Sequence, residues 1–296
     1  MKKLPVICLL LVLVTACGPR ELEPDAAIDC SNCDTWNAPI KPFRIYGNTW
    51  YVGTDGLSSI LLETDEGLVL IDGALPQSAS IIDSNIRELG FDPLNIKAIL
   101  LSHPHFDHAG GIAALQRLSD ATVYASDAAV PTLQTGEIPE DDPQFGFGPE
   151  STSFPASENV IGLADGDSVD IGGVKMTIVH TPGHTAGGAS WTWQSCALNT
   201  CYNVVYADSL TAVSAPGYFY ADGAAAEIVD SADRIAGLDC DILLSPHPFF
   251  FGLHDKIEKR DEGNPFINNV ACLIYAESML GWLEQRLDSE RSRVPD

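Results

Sequence analysis

The chain has 296 residues, 45% of them hydrophobic and 19% charged, which is enough apolar material for a sizeable core and is not the composition of a disordered chain. Sixteen Lys and Arg stand against 41 Asp and Glu, a formal charge of −25. With no basic run to offset it, that balance argues against nucleic acid and against anionic lipid headgroups as partners.

In chain order, Met1 to Lys3 is basic and Leu4 to Ala16 almost wholly apolar, the layout of an export signal over residues 1–16. The apolar stretch falls short of the roughly 20 residues a spanning helix needs. Val14-Thr15-Ala16-Cys17 resembles the bacterial lipobox, which would make Cys17 the lipidated N-terminus. Gly18 lacks the Asp that would retain such a product at the inner membrane. The expectation is therefore a periplasmic, outer-membrane-anchored lipoprotein, with ordinary cleavage after Ala16 and a soluble periplasmic product as the alternative.

Residues 17–42 read as a polar arm, and residues 43–296 as one domain. Short apolar runs at Phe43–Tyr46, Thr49–Val52, Ser58–Glu63 and Gly67–Ile71 suggest a β-meander. The pattern then switches to strand-helix alternation: a helix over Gln77–Leu89, a strand over Ile96–Leu101, a helix over Ala109–Leu118 and a strand over Thr122–Ala125. Residues 135–156 show no periodicity, and a loop that long inside a compact domain is usually functional or disordered. Strands follow near Ser168–Ile171, Val174–His180, Ala189–Trp193 and Val204–Tyr206, then a helix over Ala224–Ala236 and a short strand over Ile242–Leu244. A last helix, Asn268–Leu287, would align Val270, Leu273, Leu280, Leu283 and Leu287. Two β-rich halves, each closed by helices, imply an α/β fold with two sheets face to face and helices outside.

Apart from Cys8 and Cys17, six cysteines remain, enough for three disulfides with 15 possible connectivities. Local pairing is simplest: Cys196 with Cys201 across a polar turn, and Cys240 with Cys272 between a strand and the last helix. Cys30 and Cys33 form a C-x-x-C in the arm, read as a structural bridge, with a thioredoxin-like site as the alternative.

The chemistry concentrates after the strand ending at Leu101. Ser102-His103-Pro104-His105-Phe106-Asp107-His108 puts four metal-capable side chains within six residues. At an extended strand end His103 and His105 point the same way, while Asp107 and His108 lie in the turn that opens the next helix. Such a turn can hold two metals side by side. His184, in Thr181-Pro182-Gly183-His184-Thr185-Ala186-Gly187, and His247, in Ser245-Pro246-His247-Pro248, each follow an apolar strand. Imidazole and carboxylate without thiolate suit Zn2+ at an open, catalytic site.

Through H-x-H-x-D-H, T-P-G-H-T-x-G and the late S-P-H, the sequence resembles the metallo-β-lactamase superfamily from about Phe43 to its end. Within it the chain looks like the third subclass of class B β-lactamases. The resemblance implies an αββα four-layer sandwich and two Zn2+ per chain, the first on His103, His105 and His184, the second on Asp107, His108 and His247. It further implies hydrolysis of the β-lactam amide bond of penicillins, cephalosporins and carbapenems by a metal-bridging hydroxide that Asp107 orients, and hence antibiotic resistance. Ser209 and Thr211, in Val205-Tyr206-Ala207-Asp208-Ser209-Leu210-Thr211, match positions that contact the substrate carboxylate, and Gln144 resembles a loop glutamine near substrate. Cys240 and Cys272 fall where that subclass carries a disulfide. The alternatives are a thioester or lactone hydrolase of the same fold, in which Asp208 would bridge both metals, and a non-enzymatic zinc-binding protein. The sequence leaves the preferred β-lactams and the oligomeric state open.

Other conspicuous side chains have plainer readings. His180 reads as a hydrogen-bonded structural residue and His254 as an exposed loop histidine. Trp191 and Trp193 alternate as sheet packing does, and Phe249, Phe250 and Phe251 either wall the site or belong to the core.

Overall fold

A computed structural model describes residues 20–292, so the export signal and Cys17 lie outside the described residues. The first sheet contains, in spatial as well as chain order, β1 (Phe43–Tyr46), β2 (Thr49–Tyr51), β3 (Ile60–Thr64), β4 (Gly67–Ile71), β5 (Ile96–Leu100), β6 (Thr122–Ser126) and β7 (Val160–Leu163). It is antiparallel up to β4 and parallel beyond. The second sheet is built from β8 (Ser168–Ile171), β9 (Val174–His180), β10 (Ala189–Ala197), β11 (Thr200–Tyr206) and β12 (Ile242–Leu244), in spatial order β12-β11-β10-β9-β8.

The central strands of the first sheet are buried on both faces, which is why they read as continuous apolar runs. Leu62, Val69, Ile71 and Leu100 face the second sheet and pack with Met176, Ile178, Trp191 and Tyr206. Leu61, Leu70 and Ile99 face outward onto Ile82 and Ile86 of the helix Ala79–Glu88 and Leu115 of the helix Ile112–Ser119. The helices Ala224–Ala236 and Ala271–Arg291 pack on one another and on the second sheet through Ile228, Ile235, Tyr275, Met279 and Leu283. The result is the four-layer sandwich expected, with Trp191 and Trp193 fully in its core.

Three details differ from the expectation. β7 was not foreseen, because Val160–Leu163 is a half-buried edge strand containing a glycine and carries no clear alternation. The last helix runs from Ala271 to Arg291 and buries Cys272, Tyr275, Ala276, Met279 and Leu283, while Val270 and Leu273 remain 47% and 46% exposed. Apolar residues populate more than one side of this helix, and the Cys240–Cys272 bridge and Tyr275 select the side that faces inward. The arm is also more than a polar tether. Cys33–Trp36 forms a helical turn whose Trp36 carbonyl accepts the Thr54 hydroxyl, and a Cβ on Gly56 would lie 2.6 Å from the Trp36 Cα.

Cysteines pair as Cys30–Cys33, Cys196–Cys201 and Cys240–Cys272. No helix among the described residues is long and apolar enough to cross a membrane.

Candidate metal centre

One buried aspartate ties three strand ends into a rim. Asp72, just beyond β4 with φ of +60°, accepts the backbone N–H and hydroxyl of Ser102 at 2.8 and 2.7 Å and the Tyr206 hydroxyl at 2.8 Å. This joins the C-terminal ends of β4, β5 and β11 where the histidine motif leaves β5. The backbone turns at His105, whose carbonyl accepts the N–H groups of His108 and Ala109 and starts the short helix Phe106–Ala109. The turn fits against the rim only because Gly111 has no side chain: a Cβ there would be 2.2 Å from the Gly73 carbonyl oxygen.

His184 enters from the β9–β10 turn, where Gly183 adopts φ of +130°, and His247 from the segment after β12, held by the Ser58 N–H on the Pro246 carbonyl. The structure brings all six predicted side chains together. Ring centroids of His103, His105 and His184 lie 4.7 to 5.1 Å apart, and a ligand atom from each falls within 4.8 Å of the others. His103, Asp107 and His108 satisfy the same 4.8 Å condition. Asp107 Oδ2 is 3.3 Å from His108 Nε2 and 3.6 Å from His247 Nε2, which places His247 at the edge of this second group without joining it under the same condition.

The donors left free fit a cation. His103 Nε2, His105 Nδ1 and both ring nitrogens of His108 are buried without a hydrogen-bond partner, a costly arrangement unless another group takes them up, while His247 turns Nε2, not its buried Nδ1, toward Asp107. The opposite nitrogens of the first set are all occupied: His103 Nδ1 by Asp208 Oδ1 at 2.7 Å, His105 Nε2 by both Asp142 oxygens at 3.1 Å, and His184 Nδ1 by the Thr211 carbonyl at 2.7 Å. Such contacts leave one nitrogen of each ring free as a ligand.

The electrostatics agree. Burial, aided by the neighbouring histidines, holds His103 far below 6.5, His184 at about 4 and His247 at about 3, so these imidazoles are neutral donors at neutral pH. Burial alone would raise the Asp107 carboxyl, but His108 outweighs it and keeps Asp107 well below the usual carboxylate range. Three neutral imidazoles beside an ionised carboxylate suit a borderline divalent ion, whereas in the metal-free protein burial of His108 is outweighed by Asp107 and Asp72, which raise it above its ordinary value.

Asp208 divides its two oxygens, and Oδ2 is buried without a hydrogen-bond partner. Its Oδ1 meets His103 on the ring's far side from Nε2, and its Oδ2 packs against Gly188, where a Cβ would come within 2.4 Å. Ser209 is buried with an unpartnered hydroxyl, and half-buried Thr211 holds His184 through its carbonyl. Half-buried Gln144 donates its N–H to Asp142 Oδ1 at 2.8 Å. His180 bonds the Leu163 carbonyl, as a structural histidine does. His254 lies on the helix Leu253–Glu258 rather than in a loop, exposed, 3.7 Å from Asp55.

Sequence reasoning missed Asp72, Asp142 and Trp36. Asp72 carried a signal, a lone acid closing an apolar strand as His103 does after β5. Trp36 and Asp142 carried none. The Trp36 ring stands 5.4 Å from that of His247, and Phe249 and Phe250 each stand 5.6 Å from it, giving the second set an apolar wall. Phe249 is 61% exposed while Phe251 is in the core, so the three phenylalanines divide between the two readings.

Comparison with known proteins agrees with this geometry. The sequence profile of the metallo-beta-lactamase superfamily matches residues 52–197. The chain is 34% identical over 131 residues to the hydroxyacylglutathione hydrolase of Erwinia tasmaniensis, a match spanning 44% of this chain and 40% of that protein. Among solved structures, the Rm3 metallo-beta-lactamase superposes with a TM-score of 0.85 at 44% identity, covering 89% of this chain and 99% of the other. The chain belongs to the metallo-β-lactamase superfamily, with the metal-binding centre of a hydrolase. Within that superfamily its likeness extends to subclass B3: MEM-A1, a subclass B3 metallo-beta-lactamase from a soil metagenome library, superposes at 0.84 with 41% identity over 88% of this chain and all of that one.

Proposed function

We propose that this protein is a dinuclear zinc β-lactamase of the B3 type, opening the amide bond of penicillins, cephalosporins and carbapenems. The observation that carries this reading is the second donor set, Asp107, His108 and His247, which has no thiol and abuts His103, His105 and His184. His103 Nε2, His105 Nδ1 and the free nitrogen of His184 would hold the first zinc, and the second set the other. Bound zinc would supply a Lewis acid for the lactam carbonyl and a water acidified from 15.7 to about 7.

The chain's own residues do the positioning. Asp107, kept ionised by His108, would help hold the zinc and accept a hydrogen bond from a water, orienting it toward the carbonyl carbon. Ser209 and Thr211 bind the substrate carboxylate, and Gln144 approaches from the 135–156 loop. Local attraction of this kind is needed because a chain of formal charge −25 repels anionic substrates at long range.

The likeness to hydroxyacylglutathione hydrolase favours thioester hydrolysis as a second reading. Against it stands Asp208, whose Oδ1 is committed to His103 Nδ1, the ring nitrogen turned away from the other donors. The test is turnover of a chromogenic cephalosporin, a penicillin and a carbapenem against a glutathione thioester and a lactone, before and after chelation. Chelator-sensitive β-lactam hydrolysis, restored by zinc, is expected; thioester turnover alone would refute it.

Export and tethering through Cys17 complete the proposal, with growth of a host on a β-lactam as the consequence. Membrane fractionation of wild type and Cys17→Ala tests this part: the variant should move to the soluble fraction.

A further inference from the structure

After Thr135, which ends the helix Val130–Thr135, the 135–156 loop contains as regular structure only the turns Phe145–Phe147 and Pro149–Thr152, yet one of its acids is buried. Glu140 and Asp141 face solvent, whereas Asp142 is 6% exposed. Both its oxygens lie 3.1 Å from His105 Nε2, and Oδ1 also accepts the Gln144 N–H. Its backbone closes a compact turn: the Asp142 N–H donates to the Pro139 carbonyl, the Asp142 carbonyl accepts from Phe145, and the Pro143 carbonyl accepts from Ala215. Beyond this anchor come half-buried Gln144 and the solvent-facing rings of Phe145 and Phe147, 45% and 41% exposed.

We propose that Asp142 is a positioning residue that fastens the 135–156 loop to the first metal site through His105, so that filling the site and ordering the loop over it are coupled. The role rests on the metal-hydrolase reading above. Two consequences of the geometry carry it. By accepting from Nε2–H, Asp142 selects the tautomer whose Nδ1 is the ligand atom, and Nδ1 is the nitrogen left buried and unpartnered. A cation on Nδ1 withdraws charge from the ring and makes Nε2–H a stronger donor, so metal tightens the contact that holds the loop. By reciprocity, the held loop tightens the metal. No other part of the loop carries a side chain bonded to one of the six donors.

The experiment compares wild type, Asp142→Asn and Asp142→Ala, measuring zinc affinity by competition with a chromophoric chelator and amide hydrogen exchange of residues 138–147 with and without zinc. In wild type, zinc should slow exchange in this segment. In Asp142→Ala the zinc held by His103, His105 and His184 should weaken about 10- to 100-fold, the usual cost of losing such a partner, and the zinc-dependent protection should vanish. Asp142→Asn keeps an acceptor without the charge and should fall between the two; it also carries the test if the alanine variant does not fold. Variants that bind zinc as wild type does, or whose loops zinc still protects, overturn the role while leaving the function intact. A wild-type protein that binds no zinc overturns both.

Discussion

His103 and Asp208, 105 residues apart in the chain, meet side chain to side chain at 2.7 Å with neither exposed to solvent. Burial disfavours charge on both, pushing the imidazole down and the carboxyl up, so the metal-free pair shares one proton. A cation at Nε2 would stabilise the carboxylate and place that proton on Nδ1. Asp208→Asn should therefore weaken binding of the first zinc on the order of 10- to 100-fold, with activity recovering as zinc is raised. Chelator competition reads the affinity, and unchanged zinc binding would contradict the role.

The two donor sets predict separable losses of metal. His103→Ala should abolish hydrolysis of a chromogenic cephalosporin, and His247→Ala should remove zinc from the second set while leaving His103, His105 and His184 in place. Elemental analysis should give two zincs for wild type and one for His247→Ala. A cephalosporin rate unchanged in His103→Ala would sink the assignment.

The segment that carries Ser209 and Thr211 is held from behind by the last helix. Arg286 pairs with buried Glu290 at 2.6 Å and donates to the Ser214 hydroxyl and the Tyr218 carbonyl at 2.7 and 3.0 Å, while Glu290 accepts the N–H groups of Tyr220 and Ala221. Arg286→Ala strands the carboxylate, which for a buried pair costs roughly 3 kcal/mol. A fall in Tm of about 5–10 °C should follow. KM should rise more than kcat falls, because Arg286 braces the part of the segment beyond Thr211, while Asp208 at its start is also held by the Tyr275 hydroxyl on its carbonyl.

Acid should destabilise the metal-free protein earlier than its carboxylates alone would. His184 and His247 have folded-state values of about 4 and about 3, below the ordinary histidine value of about 6.5. Below pH 6.5 the unfolded chain takes up protons that the folded chain refuses, so stability is lost as pH falls from about 6.5 toward 4. Thermal melts of the metal-free protein across this range should show the loss, and His247→Gln should flatten it. A Tm independent of pH between 7 and 5 would contradict the burial of neutral imidazoles.

The six donors were legible because their signal is local. In H-x-H-x-D-H the strand period and the first helical turn aim the side chains, and His184 and His247 sit in Gly/Pro turns that end apolar strands. The sandwich was legible for a related reason, since strands buried on both faces must be written as apolar runs. What supports the donors was not. Nothing in Glu140-Asp141-Asp142 distinguishes the acid that reaches His105 from the two that face water, and nothing in the arm marks Trp36 as a neighbour of His247. The inward side of the 271–291 helix likewise depends on Cys240 and the Asp208 carbonyl, far away in sequence. Periodicity and turn chemistry determine which way a residue points along its own element, and that much the chain states by itself. Which partner waits there, and so which tautomer, charge state and loop position result, is decided only when distant segments pack.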